Sequence, residues 1–186
     1  MFLDIGMGIL LAIFTSQYYN VNLGELLVFG GILFALSPDF DFLMYYFKNG
    51  ITREDYQHRN MIHYPLLFLP IGTMAAFLLG GSVWATLFFL GALSHFLHDS
   101  IAIGWGIKWL YPFSDKNYVF LYHYSKVKKK GLRKLVFAFD KSSLNQVVAE
   151  HWGDEWFHDI YYKWHPIAIV EFGVFIISLV TLYFYA

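Results

Sequence analysis

Apolar residues in this chain come in long, nearly unbroken runs, not in the alternating or short-period patterns of half-exposed elements. The runs extend roughly from Phe2 to Phe14, Leu23 to Leu36, Pro65 to Gly81, Ser82 to about Ile103, and Pro166 to Ala186. Several are shorter than the ~20 residues of an ideal membrane span, so tilt, interfacial aromatics or extension through polar residues must complete them. Gly80-Gly81-Ser82 leaves room only for a tight turn, which predicts that the third and fourth runs form an antiparallel hairpin. The pattern therefore predicts an all-α fold, an integral membrane helical bundle of about five spans in a single domain over residues 1–186. Residues 1–117 form the core of that domain, 118–165 a polar segment and 166–186 the last span. The polar segment opens with a basic run, Lys126 to Lys134. From Ser142 to Trp164 it then places Val147, Val148, Trp152, Trp156 and Ile160 as expected for an amphipathic surface helix.

Composition agrees with a bilayer. Of the 186 residues 58% are hydrophobic, 22% aromatic and only 15% charged, against about 25% charged in ordinary soluble domains. A small globule lacks the interior to hide 20 Phe, 14 Tyr and 6 Trp. A net charge of -1 argues against nucleic acid as a partner. The absence of cysteine excludes disulfides, a thiolate nucleophile and Cys-ligated zinc. Asp4, with no positive charge before it and no small-residue cleavage site after the first run, predicts a first membrane helix and not a cleaved signal.

Topology follows from charge. If the first run crosses from side one and the second returns, residues 37–64 and 104–165 both lie on side one. All 13 Lys and Arg then fall on side one. Cytoplasmic loops carry the Lys/Arg excess, so side one is the cytoplasm and the protein sits in the inner (cytoplasmic) membrane.

Three polar motifs interrupt the apolar runs: Ser37-Pro-Asp39-Phe-Asp41, His58-Arg59-Asn-Met-Ile-His63, and Ser94-His95-Phe-Leu-His98-Asp99. They stand at the end, the start and the end of successive helices, hence on one side. At 1.5 Å per residue, Asp39 lies about 24 Å along from Leu23 and His95 about 20 Å along from Ser82, a similar depth. Ionisable groups in spans are costly and face a bundle interior or a functional cavity. His95, His98 and Asp99 share much of one helix face. Pro38 disfavours helix at Ser37, so a local break there could turn Asp39 and Asp41 towards one centre. His58 and His63 precede Pro65, a residue suited to a first helical turn, which places them in a loop entering that helix. Several His and Asp without Cys suit Zn²⁺, with Mn²⁺ or Fe²⁺ as alternatives. The candidates outnumber the four ligands of a tetrahedral zinc, so one or two ions are expected.

Each group also has a bland explanation. Either Asp alone could be solvated, His58 alone reads as an interfacial residue, and His95 with Asp99 could form a private hydrogen bond. Coincidence of all three motifs at one depth favours the metal site. His123, His151 and His165 read as interface residues, and the Lys126 to Lys134 run as an anchor for anionic lipid headgroups.

The ordered motifs resemble the YdjM-type family of membrane-bound, metal-dependent hydrolases, some of them described as LexA-regulated. The resembling elements are Pro38-Asp39-Phe40-Asp41, His58-Arg59 through His63, and His95 through Asp99, followed by Gly104 or Gly106 and Tyr111-Pro112-Phe113. The likeness runs from the N-terminus to about Asn117. It implies kinship with zinc-dependent phospholipase C and P1 nuclease, and so phosphoester chemistry on a multi-metal site. Family members often carry a His near the N-terminus; here none precedes His58, and Asp4 stands at the right end to substitute.

The expected metal ligands are thus Asp39, Asp41, His58, His63, His95 and Asp99, with Asp4 a further candidate and His98 a ligand or a support behind the ligands. Asp41 or His98 would serve in proton transfer and Arg59 would orient an anionic group bidentately. A site at the membrane edge suggests an amphiphilic, phosphorylated substrate drawn from membrane lipids. The competing function is a metal-binding or ion-transporting membrane protein without catalysis. Glu25 and Glu171 are the acidic residues in the half away from the site.

Overall fold

The computed structural model describes residues 1–49, 62–101, 105–122, 134–143, 158–163 and 165–185. It is mostly helical. Helix α1 spans Phe2–Tyr19, α2 Glu25–Leu36, α3 Phe40–Asn49, α4 Pro65–Ser100 and α5 Pro166–Tyr185. The chain divides into two compact units. The first comprises Met1–Pro38, Leu69–His95 and Trp164–Ala186; the second comprises Asp39–Phe68 and Phe96–Lys163.

The first unit is apolar helix packed on apolar helix. On α1 the buried positions include Asp4, Gly8, Ala12 and Ser16, a four-residue repeat of small or short side chains along one face. Such a face lets backbones approach closely, the usual solution where lipid removes the hydrophobic drive between helices. Here α1 packs against α2 and α5. Gly8 meets Gly31 of α2 so closely that a Cβ on Gly8 would stand 2.6 Å from the Gly31 carbonyl oxygen. Ala12, Leu27 and Leu87 close the core, flanked by Phe34 and Trp84. On α5, Phe172 stacks obliquely on Phe2 at 4.5 Å. Side chains turned outward are apolar as well: Leu79 is 90% and Tyr183 82% exposed, as a bilayer allows and water does not.

Among the described residues, four helical stretches are long and apolar enough to cross a membrane: Phe2–Tyr19, Glu25–Lys48, Pro65–Ser100 and Pro166–Tyr185. The 36-residue α4 is folded at Gly81, whose φ of 73° and ψ of -164° lie outside helix. In a straight helix, Gly72 and Phe88 would stand about 24 Å apart, yet a Cβ on Gly72 would strike the Phe88 ring. The two arms therefore run back along each other, as the Gly80-Gly81 signal predicts.

The second unit departs from the all-α expectation. Strand β1, Asn117–Tyr122, pairs antiparallel with β2, Lys134–Phe139, in a register running from Asn117 opposite Phe139 to Tyr122 opposite Lys134. Val119 and Phe139 bury one face with Phe137 against them. Ile107 also bridges to Tyr118 and Ile101 to Phe120, which ties the end of α4 to the hairpin. The amphipathic helix expected over Ser142–Trp164 falls largely outside the described residues; at its edges are a short 3₁₀ turn, Lys141–Ser143, and a π-helical turn, His158–Tyr162.

Candidate metal centre

The first polar motif sits where α2 passes into α3. A carbonyl at Phe34 would normally accept from the N–H of residue 38, but Pro38 has none. Ser37 takes over: its Oγ donates to the Phe34 carbonyl at 2.8 Å. Ser37 keeps helical dihedrals (φ -61°, ψ -31°), so the chain does not break there as expected. It tightens instead into one 3₁₀ turn, Ser37–Asp39. That turn changes the rotation between Asp39 and Asp41, leaving Asp39 42% exposed and Asp41 wholly buried.

His63 enters just ahead of Pro65, which occupies the first turn of α4. Its ring is fully buried. Nδ1 lies 2.6 Å from Asp41 Oδ2, and the same oxygen accepts the N–H of Ile62 at 3.3 Å. Nε2, on the opposite side of the ring, faces Asp99 Oδ2 at 3.3 Å and Asp39 Oδ1 at 3.7 Å. Phe96 meets the imidazole edge-on at 5.9 Å. Phe96 is in turn packed by Phe68 and Trp109. The Trp109 indole donates to Ser100 Oγ, which donates to the Phe96 carbonyl, so the end of α4 is fastened behind the ring.

Burial alone would push the His63 pKa down. The Asp41 bond and the nearby Asp99 outweigh it and hold the imidazole above its usual value.

Ligand atoms of Asp39, His63 and Asp99 lie within 4.8 Å of one another. His95 stands one helical turn before Asp99 on α4. The group formed by one imidazole and two carboxylates is a donor set suited to Zn²⁺, Mn²⁺ or Fe²⁺. Within the first unit, Asp4 of α1 approaches His95: Oδ1 lies 3.3 Å from Nδ1, and the pair is nearly devoid of solvent.

The remaining candidates fall differently. Asp41 lies against the imidazole of His63 and Asp4 against that of His95, and neither is a member of the group. His98 is half-buried and outside the group, its carbonyl accepting the N–H of Ile101 at the end of α4. His58 and Arg59 lie outside the described residues.

A second polar feature was not anticipated from the sequence. Lys108 is 4% exposed, its ammonium 3.3 Å from Asp115 and 6.0 Å over the rings of both Tyr64 and Tyr111. Those rings stack at 4.2 Å. Tyr64 follows His63 directly, so this stack braces the entry to α4. Burial, then Tyr111, Asp115 and Asp41, push the Tyr64 phenol upward and keep it protonated.

Apolar outward faces and a buried His/Asp group define an integral membrane protein with a potential metal site. The chain belongs to the YdjM inner membrane protein family, which matches residues 3–186. It is a multi-pass protein of the inner membrane. The inner membrane protein YbcI of Escherichia coli (strain K12) is 35% identical over 102 residues, covering 50% of this chain and 57% of YbcI. The chain thus spans little more than half the length of that relative. No solved structure matches it.

Proposed function

We propose that this protein is a metal-dependent hydrolase acting on the phosphoester of a lipid or lipid-linked substrate at the cytoplasmic edge of the membrane. The observation that carries the reading is the convergence of Asp39, His63 and Asp99 within 4.8 Å, from motifs far apart in sequence, with His95 one turn from Asp99. One or two divalent ions, Zn²⁺ first and Mn²⁺ or Fe²⁺ as alternatives, fit these donors. When bound, such an ion acidifies water and stabilises negative charge on a phosphoryl oxygen.

The chain's own residues supply the rest. Asp39, 42% exposed while Asp41 is wholly buried, marks the side from which a substrate enters. A carboxylate there that is not fully engaged by metal can accept a proton from water. Arg59, between His58 and His63 in sequence, would hold an anionic group through its planar fork. The five-span topology, with the Lys/Arg-rich segments and the site on the cytoplasmic side, follows from the charge distribution.

The test is turnover of phosphorylated lipids by the purified, metal-loaded protein in detergent, compared with the Asp99→Ala variant. Hydrolysis by the wild type alone supports the reading. Full metal occupancy with no turnover of any phospholipid, lipid phosphate or lipid diphosphate would leave the metal-binding or ion-transporting alternative.

A further inference from the structure

His63 has a buried carboxylate at one of its ring nitrogens. Asp41 Oδ2 lies 2.6 Å from Nδ1, and both side chains are fully buried. A neutral imidazole has one donor and one acceptor nitrogen, and a carboxylate beside one nitrogen fixes the proton there. Histidines that hold metals regularly donate their other N–H to such a carboxylate, which orients the ring and raises its basicity.

We infer that Asp41 is a positioning residue that fixes the His63 ring as its Nδ1–H tautomer and so assigns Nε2 of His63 to the metal. This rests on the metal-site reading above. Within the second unit the ligand set then consists of that nitrogen with Asp39 and Asp99. The orientation of His63 agrees, because Asp39 and Asp99 gather on its Nε2 side, away from Asp41. Asp41 Oδ2 also accepts the Ile62 N–H at 3.3 Å. Asp41 Oδ1 is buried with no hydrogen-bond partner among the described residues, so direct coordination by Asp41 is the competing role.

Asp41→Asn separates the two roles. An asparagine carbonyl still accepts the Nδ1 proton but carries no charge. Cobalt-loaded full-length protein in detergent provides the readout, with affinity measured by chelator competition and coordination by the visible spectrum. A positioning role predicts full cobalt at saturation and an unchanged band position. It also predicts affinity lowered roughly tenfold to a hundredfold. Loss of cobalt as complete as in Asp99→Ala, or a shifted band, would make the substituted residue a ligand and overturn the inference; unchanged affinity would overturn it too. Should a variant fail to fold, cadmium-loaded wild type with isotopically labelled histidine decides. Cadmium coupling to Nε2 of His63 supports the assignment, and coupling to its Nδ1 contradicts it. If wild type takes up neither cobalt nor cadmium, it is the metal-site reading itself that fails.

Discussion

Asp41 and Asp39 address opposite nitrogens of one histidine: Asp41 Oδ2 lies 2.6 Å from Nδ1 of His63, and Asp39 Oδ1 lies 3.7 Å from its Nε2. A fully buried Asp–His contact of this length makes the ring's proton depend on its carboxylates. Removing Asp41 leaves the buried Nδ1–H without its acceptor, at a cost of about 1–3 kcal/mol. Asp41→Ala should therefore lower the thermal midpoint of metal-free protein in detergent by many degrees. A shift within the scatter of surface variants would show that the contact contributes little.

The same geometry sets a pH dependence. The folded-state pKa of His63 is raised, so its ionic contribution to metal-free stability is complete below the unfolded value, about 6.5, and is lost as pH rises through the folded pKa. Metal affinity should move the other way, because an ion must displace that proton. Metal-free unfolding and chelator competition, measured upward from pH about 6.5, should show stability falling while affinity climbs. Stability rising with pH across that window would mean His63 is not the titrating group.

Close helix approach makes a separate prediction. Gly8→Ala drives a methyl to 2.6 Å from the Gly31 carbonyl oxygen, a backbone atom that cannot rotate away. Overpacking of this kind costs about 1–3 kcal/mol. Gly24→Ala, with nothing within 4 Å of its Cβ position, is the control and should be near neutral. Equal unfolding midpoints for the two variants would remove the Gly8–Gly31 contact from the account.

Much of this arrangement can be read from residue order, and the exceptions have physical causes. The hairpin at Gly80-Gly81 needs only a turn signal between two apolar runs, and the structure folds α4 back at Gly81. Pro38 identifies the place where α2 changes course, but not that Ser37 Oγ would replace the missing N–H and keep the turn helical. The strands were hidden by composition. In a chain with 22% aromatic residues, Tyr118-Val-Phe120 and Leu135-Val-Phe137 do not stand out from their surroundings. Motif order and helix depth bring Asp39, His63 and Asp99 together. Which carboxylate faces which ring nitrogen depends on side-chain rotation, so the placement of Asp4 and Asp41 beside the imidazoles has no sequence signal.

Arg59 carries a prediction that rests on its motif position alone. Arg59→Lys should keep the metal while slowing turnover of an anionic substrate. Lysine offers a point charge where guanidinium offers a fork. One lost charge-assisted bond is worth about 1.5–3 kcal/mol, or roughly tenfold to a hundredfold in rate. Full metal with an unchanged rate would instead assign Arg59 to holding its loop.

The metal site itself is tested most directly by elemental analysis of the purified wild type beside His95→Ala, Asp99→Ala and His165→Ala. His165 serves as the control because its Nδ1 accepts the Ile167 N–H at the start of α5, outside the group. The account predicts a stoichiometric divalent metal in wild type and in His165→Ala, and its loss from His95→Ala and Asp99→Ala. Metal absent from wild type after loading, or retained in full by both His95→Ala and Asp99→Ala, would contradict it.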